Sequence, residues 1–158
     1  MKKHIALCAW AAVALVIFVF QAFAQVPDTI WSRTYGGTID DYAQSVQETS
    51  DGGYIVAGVT YSLSGESYDF YVVKTNSQGD TLWTRTYGGS NYDEAWSVQQ
   101  TADGGYIVAG FTQSFGVSGD FYLVKTNSSG DTLWTRTYGG GNWDGAYSVR
   151  QTADGGYI

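Results

Sequence analysis

The chain has 158 residues, one cysteine, one histidine, one proline and 21 glycines, with 15 acidic against eight basic residues and a formal charge of −7. The acidic balance argues against nucleic-acid and anionic-membrane partners. High Gly, Tyr and Trp content with almost no Pro or Met fits an all-β protein rich in turns.

Met1–Ala24 begins with Lys2-Lys3, continues in an apolar run from Ile5 to Phe20, and ends in Ala22-Phe23-Ala24 before Gln25. This is the pattern of a secretory signal peptide, with cleavage expected between Ala24 and Gln25. An uncleaved membrane anchor is the alternative reading of the same run. Cys8 and His4 both lie in this leader, so residues 25–158 contain neither Cys nor His, and six basic residues face 15 acidic ones, for a charge of −9. The expected location is extracellular or at the cell surface, with no membrane contact after cleavage. Without disulfides, stability there has to come from a buried core.

After Gln25 the chain repeats. Trp31–Gly37 reads WSRTYGG, and Trp83–Gly89 and Trp134–Gly140 both read WTRTYGG, at spacings of 52 and 51 residues. The one-residue difference falls between Gly58 and Asp69, against Gly110 and Asp120, and marks a loop. The sequence DGGYIVAG occurs at Asp51–Gly58 and Asp103–Gly110, and its first five residues recur at Asp154–Ile158. Asp-Gly-Gly is a turn signal, and the apolar run after it predicts a middle strand covered on both faces.

One unit is read as four strands: Ala95–Thr101, Tyr106–Thr112, Phe121–Thr126 and Thr132–Tyr138. Their connections are short and rich in turn formers. A lone fourth strand, Asp28–Tyr35, is expected to precede the first unit. The resulting segments are 31–82, 83–133 and the incomplete 134–158. Four short antiparallel strands at this period predict a β-propeller blade, with a β-solenoid or a row of small sandwiches as alternatives.

The succession W-[ST]-R-T-Y-G-G, D-x-A-x-S-V, D-G-G-Y-I-V-A-G and D-F-Y-[LV]-V-K-T-N resembles the propeller-type repeats of large secreted bacterial proteins, which often end in a type IX secretion sorting domain. The resemblance covers residues 28–158 and implies a partial β-propeller, with further repeats downstream of the strand that stops at Ile158. It implies little about function.

Residues present in every copy are expected to serve the fold. Arg33, Arg85 and Arg136, Lys74 and Lys125, and the Asp sets 28/80/131, 41/93/144, 51/103/154 and 69/120 read as turn caps and ion pairs. Trp31, Trp83 and Trp134 read as packing between neighbouring units, against an alternative role as a sugar platform. A repeated calcium site at Asp93 and Asp144 with Asn91 and Asn142 is the alternative for the carboxylates, but the spacing of an EF-hand is absent. No cofactor or metal is predicted, and calcium is expected to leave the fold unchanged.

Specific function is expected where the copies differ. Those places are 38–40, 90–92 and 141–143 in one loop and 61–68 and 113–119 in the other, which makes Trp96, Trp143, Asn91 and Asn142 the binding-loop candidates. Without His or Cys, residues 25–158 offer no Ser-His-Asp triad, cysteine nucleophile or His/Cys zinc site. The adjacent pair Asp93-Glu94 does not form a glycosidase pair, since neighbours on a strand face apart. The expectation is a secreted binding or scaffold module for a carbohydrate or a protein, with no catalysis in this segment. The alternative is the N-terminal propeller part of a larger carbohydrate-active enzyme with its catalytic residues beyond Ile158.

Overall fold

The computed structural model describes residues 29–158 except 64 and 66. The expected leader and its Ala24–Gln25 cleavage site lie outside the described residues. Among the described residues no helix is long and apolar enough to cross a membrane.

Among the described residues eight strands follow one another: β1 (Asp41–Glu48), β2 (Tyr54–Thr60), β3 (Asp69–Thr75), β4 (Thr81–Tyr87), β5 (Asp93–Gln100), β6 (Tyr106–Thr112), β7 (Asp120–Thr126) and β8 (Thr132–Tyr138). They form two separate four-stranded antiparallel meanders, β1-β2-β3-β4 and β5-β6-β7-β8. Each four-strand unit read from the turn signals is therefore one sheet, whereas the boundaries of the segments 31–82 and 83–133 fall inside β4 and β8. Two of the predicted strands start early, at Asp93 instead of Ala95 and at Asp120 instead of Phe121. The aspartates join the ladder because Asp93 and Asp120 both pair with Thr112, one on each side of β6.

The apolar strand sits second in each sheet. Every residue of β6 is buried, and Ile55 and Ile107 are wholly so. Each such side chain contributes about 1.5–3 kcal/mol by leaving water. One cluster of buried side chains spans both sheets and includes Ile55, Phe70, Val72, Ala95, Val108 and Val124.

The turn before each apolar strand is built by the repeated Asp-Gly-Gly. Gly52 and Gly104 take φ of 78° and 80°, a left-handed conformation that glycine adopts freely. Asp51 and Asp103 cap these turns through the Gly53 and Gly105 amides, each at 3.0 Å. They also receive the ammonium groups of Lys74 and Lys125, both at 2.9 Å. The two lysines are buried, and their remaining bonds go to the Thr75 and Thr126 carbonyls.

The sheets are joined by a repeated set of contacts that accounts for W-x-R-x-Y. Trp83 on β4 meets Tyr106 of the next sheet edge-on at 5.7 Å, Arg85 pairs with Asp131 at 3.3 Å, and the Tyr87 hydroxyl donates to the Gly130 carbonyl at 2.6 Å. The leading segment makes the same three contacts on the first sheet: Trp31 with Tyr54 at 5.7 Å, Arg33 with Asp80 at 3.3 Å, and the Tyr35 hydroxyl with the Gly79 carbonyl at 2.7 Å. The repeated tryptophans thus pack between units, as expected.

Two expectations fail in part. Residues 29–35 are not a strand, since among the described residues no neighbouring strand offers them a ladder and side chains alone hold them. Of the incomplete third segment, the residues after β8 likewise form only an isolated bridge, Gln151 with Tyr157, across the turn at Thr152–Gly156. It still lies along β5, because the Val149 amide donates to Ser97 Oγ and the Gln151 amide to Gln99 Oε1. The same S-x-Q contacts join β5 to β1 through Ser45 and Gln47.

Candidate functional site: an aromatic strip on the variable loops

The two variable loops of a unit come together at one end of the sheets. The Asn91 amide donates to Ser114 Oγ at 3.0 Å, the Asn91 side chain to the Gln113 carbonyl at 3.2 Å, and the Gln113 amide to the Tyr92 carbonyl at 2.8 Å. The 113–119 loop also reaches the next unit, where the Ser118 hydroxyl donates to the Asn142 carbonyl at 2.7 Å.

Above these loops runs a continuous series of rings. Tyr61 meets Tyr68 at 5.0 Å, Tyr68 meets Tyr92 at 5.4 Å, and Tyr92 meets Phe111 at 6.2 Å. Phe111 then contacts Trp143 at 5.1 Å and stacks nearly parallel with Trp96 at 6.1 Å. Trp96 lies 5.8 Å from Trp143 and stacks on Tyr147 at 4.5 Å, with 9° between the planes. Trp96 is half-buried, whereas Trp143 and Tyr147 are 54% and 69% exposed.

The direction of Trp96 has a backbone cause. The β5–β6 register slips between Ala95 and Ser97, so Trp96 is the extra residue of a β-bulge. A bulge re-aims the inserted side chain. It is accommodated by Gly110 opposite, where a Cβ would stand 1.9 Å from the Glu94 carbonyl oxygen. The first sheet has the same bulge at Gln44, opposite Gly58. The scaffold is thus constant, and the residue it presents changes from Gln44 to Trp96.

Polar groups border the strip on one side. Glu94 accepts from the Tyr92 hydroxyl at 2.6 Å and from the Gln44 amide at 2.9 Å. Burial first, and then the Glu94 carboxylate, push the Tyr92 phenol above the usual tyrosine range.

Trp96 and Trp143 therefore meet, while Asn91 ties the loops together through its amide and its side chain, and Asn142 through its carbonyl. Asn91 does not turn toward Asp93. That carboxylate is instead held by protein donors: the Gly89 amide at 2.8 Å, the Ser114 hydroxyl at 2.6 Å, and the Thr112 hydroxyl. Among the described residues no group of three or more acidic, His or Cys side chains is placed to hold a metal ion. Phe111 and Tyr147 were not among the sequence candidates. Phe111 stands where the first copy has Val59, so comparison of the copies within the apolar strand was the signal that marks it.

No protein-family model matches the chain, and no curated protein does either.

Proposed function

We propose that the chain is part of a β-propeller whose sheets are its blades, exported from the cell and used outside it as a binding module for carbohydrate chains. The observation that carries this reading is the strip from Tyr61 to Tyr147, in which Trp143 and Tyr147 are exposed and Tyr92 is bordered by the polar groups of Glu94 and Gln44. Sugars present one apolar C–H face and a rim of hydroxyls. A strip of aromatic rings bordered by a carboxylate and an amide matches both. The rings vary from copy to copy on an unvarying scaffold, as binding residues on loops do. A protein partner is the other ligand class such a strip accepts.

Affinity electrophoresis against soluble glucans, xylan and galactomannan tests the reading. At least one polysaccharide is expected to retard the protein. Trp143→Ala and Tyr147→Ala should each weaken binding about tenfold, since a lost ring contact of ~1.4 kcal/mol corresponds to that factor. Both side chains are exposed, so the fold survives the change. No retardation by any polysaccharide overturns the carbohydrate assignment, and retardation that persists in the double variant places the ligand elsewhere.

A further inference from the structure

Directly beneath the strip, carboxylates from successive sheets meet. Asp69 opens β3 and Asp93 opens β5, and the Asp93 amide donates to the Tyr68 carbonyl at 2.7 Å, which brings the two strand starts together. Asp69 is 8% exposed and Asp93 wholly buried. Their facing oxygens converge on Gly88 in the connection between the sheets. A Cβ there would stand 2.2 Å from Asp69 Oδ1 and 2.6 Å from Asp93 Oδ2. The arrangement recurs one unit later. Asp120, 4% exposed, faces Asp144 across Gly139, and the Asp144 amide donates to the Gly119 carbonyl at 2.7 Å.

Asp69 Oδ1 and Asp120 Oδ1 are buried without a hydrogen-bond partner. An unsatisfied buried acceptor is costly, and two buried like charges on either side of one glycine more so. The titratable groups facing Asp69 are Asp93 from β5 and the Tyr122 phenol from β7, whereas β2 places Thr60 opposite it. The described ion pairs involve Asp51, Asp80, Asp103 and Asp131, so none of them neutralises this pair.

We propose that Asp69 and Asp93 share one proton across the junction between the sheets, making a carboxyl–carboxylate hydrogen bond that holds the junction more firmly in acid than at neutral pH. Asp93 Oδ2 already accepts two protein donors and its Oδ1 a third, so Asp93 is the charged partner. Asp69 Oδ1, which lacks a donor, is the atom that carries the proton. A proton turns the orphaned acceptor into a donor aimed at its neighbour, and one atom completes the site. A calcium ion needs six to eight oxygens, and the Gly89 N–H on Asp93 Oδ2 opposes a cation there.

Burial, and after it the Asp93 charge, push the Asp69 carboxyl up from the ordinary 3.8 to about 6. Its folded value lies above its unfolded one, so its contribution is complete below the unfolded value and is lost as pH rises through about 6. The turn caps act in the opposite sense. Thr49 with Lys74, and Thr101 with Lys125, hold Asp51 and Asp103 down at about 2, so their contribution is present above 3.8 and is lost as pH falls toward 2. Stability should therefore peak between about pH 4 and pH 5.

The test is thermal unfolding of the whole chain and of Asp69→Asn at pH 5 and pH 7, with calcium and with chelator. The native chain is expected to melt about 5 °C higher at pH 5 than at pH 7. Asp69→Asn, which mimics the protonated acid, should lose that difference and melt at pH 7 no lower than the native chain does. Carbon-13 NMR of aspartate-labelled native protein supplies a second readout that does not depend on the variant: one carboxyl titrating near pH 6. A native melting point unchanged from pH 5 to 7, or every aspartate titrating in the ordinary range, overturns the proposal. So does a melting point at pH 7 that calcium raises in the native chain but not in Asp69→Asn, which would put a cation where the proton is placed.

Discussion

Gly110→Ala is expected to destabilise the protein by about 3 kcal/mol. The new Cβ would meet the Glu94 carbonyl oxygen at 1.9 Å and the Ala95 Cα at 2.9 Å, both backbone atoms of a hydrogen-bonded strand. No rotamer change relieves such a clash. Either β5 moves off β6 or the bulge at Trp96 is lost, and both outcomes pull Trp96 out of the stack with Phe111 and Tyr147. Thermal unfolding measures the loss of stability, and tryptophan fluorescence reports the ring cluster. Gly140→Ala is the control, because a Cβ there meets nothing within 4 Å.

Trp83→Ala is expected to cost about 2–3 kcal/mol and to lower the melting point by roughly 10 °C. Trp83 is the central contact between the two sheets. It packs on the shared core, meets Tyr106 edge-on, lies under the Arg85 guanidinium at 5.7 Å, and closes over Gly130 in the next sheet's turn. Its counterpart Trp31 makes the same ring contact with Tyr54 but is 37% exposed. Trp31→Ala should therefore cost about 1 kcal/mol, since less area returns to water. Equal losses at the two positions would mean that the tryptophans act within their own units and not between them.

The repeats made most of this architecture legible in the sequence. Asp-Gly-Gly before an apolar run located β2 and β6, and the recurrence of Trp, Arg and Tyr at alternate positions of one strand pointed to packing between units. The ends of the repeat array were less legible. The leading segment keeps the Trp, Arg and Tyr contacts of a fourth strand to the next unit without the ladder, because side chains are written in the sequence whereas a ladder depends on which strand lies alongside. The site was half legible. Differences between copies singled out Trp96 and Trp143, but their meeting depends on the bulge after Ala95, for which Gly110 within an apolar strand is the only local sign. Asp69 was read as a residue serving the fold. Its facing of Asp93 arises from two strand starts in different sheets, a proximity that no spacing within one repeat reveals.

The central claim is that each unit gains its stability by docking Trp, Arg and Tyr of its fourth strand onto the next unit. Tyr87 reaches the Gly130 carbonyl in this way, whereas Tyr138, its equivalent in the second sheet, is 49% exposed. The most direct test is the melting point as a function of repeat number, comparing residues 25–158 with versions carrying one and two further copies of residues 83–133. Nearest-neighbour docking predicts a melting point and a sharpness of transition that rise with each added copy. A melting point that stays the same whatever the number of copies would contradict it, and each repeat would then be a self-sufficient β module.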